Sequence, residues 1–118
     1  MKLKIKILII DDEEDYCIVM KHYLETKNCQ VFTVHTIADG FDMLDKNKPD
    51  ILFLDNNLPD GEGWDHLQTI FLNYPLTKIN LVSAYKSMKD ISYTDPNIRV
   101  WEKPISLQQL NDILNLQN

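Results

Sequence analysis

Short apolar runs alternate with segments of helical period along this chain. Residues 3–10 end in Ile-Leu-Ile-Ile and read as a first strand. Tyr16, Val19, Met20, Tyr23 and Leu24 follow at i, i+3, i+4, i+7 and i+8, the inward face of an amphipathic helix. Residues 30–35 (QVFTVH) predict a β-branched second strand, and residues 37–47 a short helix with Phe41 and Leu44 inward, closed before Lys48-Pro49. Residues 51–55 predict a third strand. Residues 63–74 predict a helix carrying Trp64, Leu67, Ile70 and Phe71 on one side and stopped by Pro75. Residues 78–83 form a fourth strand, 86–93 a weakly patterned helix with Pro96 beyond it, and 98–102 a fifth strand. The last helix starts at Ser106 as its N-cap and turns Leu107, Leu110, Ile113 and Leu114 inward.

That order is (βα)5. Strands alternating with helices imply a parallel sheet covered on both faces, which accounts for strands that are apolar almost throughout. In such sheets ligands bind beyond the carboxyl ends of the strands, at a topological switch point.

Composition narrows the picture. The 118 residues fit one domain, and 44% hydrophobic with 25% charged residues is ordinary for a globular chain. No apolar run reaches the roughly 18 residues of a membrane span, so no membrane association is expected. The opening MKLKIKILII is too short and too lysine-interrupted for a signal peptide, and a cytoplasmic location is expected. A net charge of −6 without a basic block argues against nucleic acid as a direct partner. Cys17 and Cys29 lack CxxC or zinc-finger spacing and read as two free thiols.

The chemistry sits where the strands end. Strand one runs into Asp11-Asp12-Glu13-Glu14, and strand three into Asp55. Taken singly, Asp55 reads as a turn residue or helix cap and Asp12 as a cap of the first helix. As neighbours, the two strands would bring Asp11, Asp12 and Asp55 to one edge, where clustered carboxylates call for a cation. Oxygen-only ligation open to solvent suits Mg²⁺. Strand four ends in Ser83-Ala84, a hydroxyl donor, and strand five is followed by Lys103-Pro104, an ammonium. Acids with Mg²⁺, a hydroxyl and a lysine make a phosphoryl-transfer constellation, in which a carboxylate can itself be the nucleophile. Asp55 is expected at the solvent-open end of the sheet rather than buried.

These residues, in this order and at these separations, resemble the receiver domains of two-component response regulators. The match rests on Asp11-Asp12, Asp55 with Asn56-Asn57-Leu58-Pro59 and Gly63 after it, Ser83-Ala84 and Lys103-Pro104, and it covers essentially the whole chain. The resemblance implies a chemotaxis-regulator-like, flavodoxin-like α/β fold: one doubly wound (βα)5 receiver domain over residues 1–118, sheet order 2-1-3-4-5, with no output domain in this chain. It implies that Asp55 accepts a phosphoryl group from a sensor histidine kinase or phosphotransfer protein, or from a small acyl-phosphate donor. Asp12 and Asp55 would hold Mg²⁺ with the backbone carbonyl of Asn57, and Asp11 would act partly through water. Lys103 would bind the phosphoryl oxygens, with a cis peptide to Pro104, and Ser83 would swing toward the phosphoryl group as the switch. An unidentified downstream protein would read the switched face, in a monomer or weak dimer. The chain would be a phosphoacceptor, with only self-phosphorylation from donors and self-dephosphorylation.

The sequence departs from the family pattern at one place that matters. The aromatic that usually partners the switch residue, three positions before the lysine, is Val100 here, and Trp101 follows it. Period two points Trp101 to the other face of the sheet; either it is core there or the fifth strand is locally shifted. Tyr85, two residues past Ser83, would shield the phosphoryl group from water. Two alternatives are a phosphorylation-independent receiver-like adaptor and a small Mg²⁺-dependent aspartyl-phosphate phosphohydrolase. The hydrolase needs a second acid two residues past the nucleophile, and Asn57 stands there.

Overall fold

The computed structural model describes residues 4–84 and 95–116. Five parallel strands form one sheet: β1 (Ile5–Ile10), β2 (Cys29–Val34), β3 (Ile51–Asp55), β6 (Lys78–Ser83) and β7 (Ile98–Glu102), in the order β2-β1-β3-β6-β7. With the five long strands numbered consecutively, this is the expected 2-1-3-4-5. Four α-helices are described: α1 (Glu14–Thr26), α2 (Ile37–Asn47), α3 (Leu67–Asn73) and α4 (Leu107–Asn115). The candidate helix at 86–93, like Tyr85, lies outside the described residues. No helix among the described residues is long and apolar enough to cross a membrane.

The strands are apolar on both faces because each face meets a helical layer. Ile7, Ile9, Ile51 and Phe53 pack on one side with Met20 and Leu24 of α1 and Leu110 and Ile113 of α4. Leu8, Ile10, Leu52 and Leu54 pack on the other with Leu44 of α2 and Leu67 and Ile70 of α3. Parallel register then fixes the functional edge. Ile10 is level with Leu54, so Asp11 and Asp55 emerge side by side, and Asp55 itself is level with Val82, one residue before Ser83.

Four local expectations change. Leu107, expected inward, is 55% exposed, and Leu110 and Ile113 form the buried face of α4. The buried stripe of α1 is Cys17, Met20 and Leu24, with Tyr16 and Tyr23 half-buried beside it, whereas Val19 is 65% exposed. At 100° per residue, positions 17, 20 and 24 centre the stripe and 19 falls off its edge. Helix 63–74 begins as a 3₁₀ turn, Gly63–His66, before α3. Its entry is tied back to β3: the Trp64 amide donates to Asn56 Oδ1 (3.2 Å) and its indole Nε1 to the Leu54 carbonyl (3.1 Å). Between β3 and that turn lies an unforeseen two-stranded ribbon, β4 (Asn57–Leu58) against β5 (Gly61–Glu62). Gly61 adopts φ 141°, which favours glycine.

The ribbon's turn residue Asp60 accepts from the backbone amides of Ile37 (2.8 Å) and Ala38 (3.0 Å). Thr36 accepts from Asp39 (3.1 Å), so two side chains from distant segments satisfy the open donors at the start of α2. Ser106 caps α4 as expected, in a reciprocal capping box with Gln109.

Trp101 is on the face that period two assigns. It packs with the α1/α4 layer, and its Nε1 donates to the buried Asn80 Oδ1 (2.8 Å). Val100 faces the α2/α3 layer with Ile98. Asn80→Ala leaves the indole donor without this acceptor inside the protein. It is expected to cost about 1–3 kcal/mol of stability, read as a lower urea midpoint; an unchanged midpoint would show the bond to be idle.

Candidate functional site

The acids converge at the carboxyl end of the sheet. Carboxylate oxygens of Asp11, Asp12 and Asp55 all lie within 4.8 Å of one another. Asp12 is exposed, but Asp11 and Asp55 are only 2% and 5% exposed. The expectation of an open Asp55 is therefore corrected: it is the last residue of a central strand, and it is buried. Nor does Asp12 cap α1. Asp11 Oδ1 accepts from the Glu13 amide at the helix start (2.9 Å), and the Glu13 side chain makes no capping bond.

Lys103 enters this cluster from the end of β7, and its peptide bond to Pro104 is cis, as the family resemblance implied. Its amide donates to the Ser83 carbonyl (3.0 Å), which joins the ends of β6 and β7. Its ammonium is 2.6 Å from Asp11 Oδ2, 2.8 Å from Glu13 Oε1 and 3.5 Å from Asp55 Oδ1. The Lys103 side chain is buried. Ser83 is buried at the end of β6, and Ala84 next to it is exposed. By alternation with Ile79 and Leu81, Ser83 shares the sheet face of Val100.

Burial, reinforced by the charge of Asp11, pushes the Asp55 carboxyl up to about 6. Burial also raises Asp11, against the hydrogen bonds it receives from Lys103 and Glu13. For Lys103 burial works toward a lower pKa, but the hydrogen bonds to Asp11 and Glu13 outweigh it and hold the ammonium charged. Three carboxylates thus meet one buried ammonium, and that of Asp12 stands within 4.8 Å of two of them, an excess of negative charge on hard oxygen donors. That donor set fits a divalent cation such as Mg²⁺.

Three neighbours escaped the sequence reading. Glu13 pairs with Lys103 from ninety residues away; its only sequence signal is the acidic run it belongs to. His35 Nδ1 donates to the Asp11 carbonyl (2.8 Å). Tyr16, assigned to the inward face of the helix, lies with its ring under the Lys103 ammonium (4.9 Å to the centroid). The two cysteines are free, as expected, and both are buried; burial pushes the Cys17 thiol up to about 12, which keeps it inert beside the acids. A groove of about 1220 Å³ lies at the opposite edge of the sheet among Lys4, Lys6, Lys27 and Lys48. Lys27 and Lys48 cap the C-terminal ends of α1 and α2, where cations complement the helix dipole.

Comparison with known proteins agrees with this geometry. The family described as the response regulator receiver domain matches residues 7–115. The response regulator protein PilR of Pseudomonas aeruginosa is 29% identical over 83 residues, 70% of this chain and 19% of that protein. The regulatory protein VanR of Enterococcus faecium is 35% identical over 65 residues, 55% of this chain and 28% of that protein. The chain thus spans less than a third of the length of either relative. A CheY-like receiver domain from Methylobacillus flagellatus superposes with a TM-score of 0.82 at 25% identity, covering 98% of this chain and 100% of that one. The response regulator TrrA of Thermotoga maritima, solved in complex with Mg²⁺ and BeF, shares the fold with a TM-score of 0.76 at 19% identity over 98% of this chain and 100% of that one. With the family matched across nearly its whole length and an acidic pocket that fits a phosphoacceptor site, this chain belongs to the receiver domains of two-component response regulators.

Proposed function

We propose that this receiver domain, over residues 1–118, is phosphorylated on Asp55 and switches a protein-interaction face. The observation that carries the reading is the Lys103 ammonium set among Asp11, Glu13 and Asp55, beside the three-aspartate cluster. An Asp55 carboxylate oxygen attacks the phosphorus of a phosphohistidine or acyl phosphate. The P–N or P–O bond to the donor breaks, and the donor leaves with that electron pair. Asp11, Asp12, Asp55 and the Asn57 carbonyl are the residues that would hold Mg²⁺. Bound there, the ion offsets charge on the phosphoryl oxygens. Lys103 binds one of those oxygens, and the Ser83 hydroxyl donates to another.

Ser83 moving toward the phosphoryl group vacates space on the face it shares with Val100, beside Ala84. Val100 supplies bulk there in place of the usual aromatic, while Trp101 stays pinned on the far face by Asn80. Tyr85 follows as the residue that shields the phosphoryl group. The donors are a cytoplasmic sensor histidine kinase or phosphotransfer protein, and small acyl phosphates support self-phosphorylation. Self-dephosphorylation then resets the domain.

In Mg²⁺ and acetyl phosphate the protein is expected to gain the mass of one phosphoryl group, and chelation of the metal to prevent it. No modification by any donor would sink this reading, and steady turnover of a phosphorylated metabolite would favour a hydrolase. Glu13→Gln tests the lysine's tether. The Glu13 side chain is 62% exposed, so the pair is worth at most about 1 kcal/mol. The rate of phosphorylation is expected to rise by up to about fivefold, because the phosphoryl oxygens no longer compete with Glu13 for the ammonium. A slower rate would show that Glu13 helps rather than restrains.

A further inference from the structure

We infer that Tyr16 is a positioning residue for phosphoryl transfer: its ring face holds the Lys103 ammonium over the acceptor through a cation–π contact. The inference rests on the functional reading above and adds a residue to it.

The geometry is specific. Tyr16 sits in the first turn of α1, three residues after Glu13, so the two side chains rise on one side of the helix start toward Lys103. The ammonium meets carboxylates of Asp11, Glu13 and Asp55 and the ring centroid of Tyr16 at 4.9 Å. Lys103 is buried, and an ammonium screened from water is where a ring face contributes most. The Tyr16 hydroxyl is buried and lies beside the backbone of Ile105, the residue after Pro104. The ring face is the part of the side chain that meets the ammonium.

The contact has a use that the carboxylates cannot serve. Asp11 and Asp55 belong to the acidic cluster, and any cation bound there competes with Lys103 for their oxygens. Glu13 neutralises the ammonium it holds. A ring face attracts the cation through its quadrupole and carries no net charge. Lys103 stays in place and keeps its full charge for the incoming phosphoryl oxygens.

The test varies the ring's electrostatics at constant shape. Phosphorylation by acetyl phosphate in saturating Mg²⁺ is followed for the full chain with Phe, monofluorinated Phe and trifluorinated Phe at position 16, and for Tyr16→Leu. Tyr16→Phe is expected to keep the rate within about twofold. Fluorination, which drains the ring face, is expected to lower it progressively. Tyr16→Leu is expected to lower it roughly twofold to thirtyfold, with thermal unfolding confirming that each variant is folded. In a Lys103→Ala background the Tyr16→Leu effect should vanish, because the partner is gone.

A rate that is flat across the fluorinated series, or a Tyr16→Leu loss that persists without Lys103, overturns this inference alone. Failure of the unsubstituted protein to take up a phosphoryl group overturns the functional reading and this inference with it.

Discussion

With Asp55 replaced by Asn, no phosphoryl mass is expected under any donor, while the metal-free protein becomes more stable at neutral pH. The first half follows from chemistry: a carboxamide is not a useful nucleophile, and its neighbours stay in place. The second follows from where Asp55 sits. The folded protein holds this carboxyl with a pKa raised to about 6, through burial first and the charge of Asp11 second. In the unfolded chain it titrates near 3.8. Between those values folding takes up a proton, so stability falls as pH rises through the window. Above about pH 6 the carboxylate is charged in both states and its burial works against folding in full. A shift of this size corresponds to about 2–3 kcal/mol. In the absence of metal, Asp55→Asn should melt above the unsubstituted protein at pH 7–8, and the gap should close toward pH 4. Mg²⁺ should raise the melting temperature of the unsubstituted protein and leave the variant nearly unmoved. Equal melting curves across the range would show that Asp55 carries no burial penalty.

Gly63→Ala is expected to damage fold and site together. A methyl at this position would overlap the backbone carbonyl oxygen of Asp55, with Leu54 Cδ1 and Leu58 Cδ1 at 3.0 and 3.2 Å behind it. A backbone oxygen cannot rotate aside, so the turn after β5 must move away from β3. That movement pulls on the Gly63 amide, which donates to the Asn56 carbonyl (2.8 Å), and on the two Trp64 bonds. Overpacking of this kind costs about 3 kcal/mol, read as a lower urea midpoint. Because the clash is with the acceptor's own backbone, phosphorylation of the folded fraction should also slow by about tenfold or more. Gly40→Ala is the control. A methyl there meets only side-chain atoms of Ile10, whose end can rotate, so a smaller stability loss and a normal phosphorylation rate are expected. Equal effects from both substitutions would count against the Asp55 clash as the cause.

Much of this was legible because sheet order and strand ends are local signals with a global consequence. The run Ile51–Asp55 gave the central strand to the residue, helix 37–47 matched at both ends, and Ser106 proved to be the cap of the last helix. Period two placed Trp101 on its correct face. What escaped depends on partners far along the chain. The Lys103–Glu13 and Lys103–Tyr16 contacts join the last strand to the first helix, and no pattern within either segment announces them. The same holds for Asn80, whose polarity inside an apolar strand is explained by an indole on one neighbouring strand and the Leu52 carbonyl on the other. Asp55 was misjudged because the rule that sites lie beyond strand ends says nothing of how deeply the last strand residue is itself buried. Val19 was misjudged because one apolar residue at i+3 cannot say which edge of a stripe meets the core.

The Asp60 bonds to Ile37 and Ala38 couple two parts of the molecule that are otherwise separate in sequence. The loop that follows the acceptor and the first turn of α2 share hydrogen bonds, so neither can open while the other stays fully closed. Amide exchange at Ile37 and Ala38 therefore keeps time for the loop: each opening of the ribbon lets solvent deuterium reach those two amides, which both donate to the Asp60 carboxylate. Two backbone signals in a helix can thus report how often the turn beside the phosphoacceptor breathes.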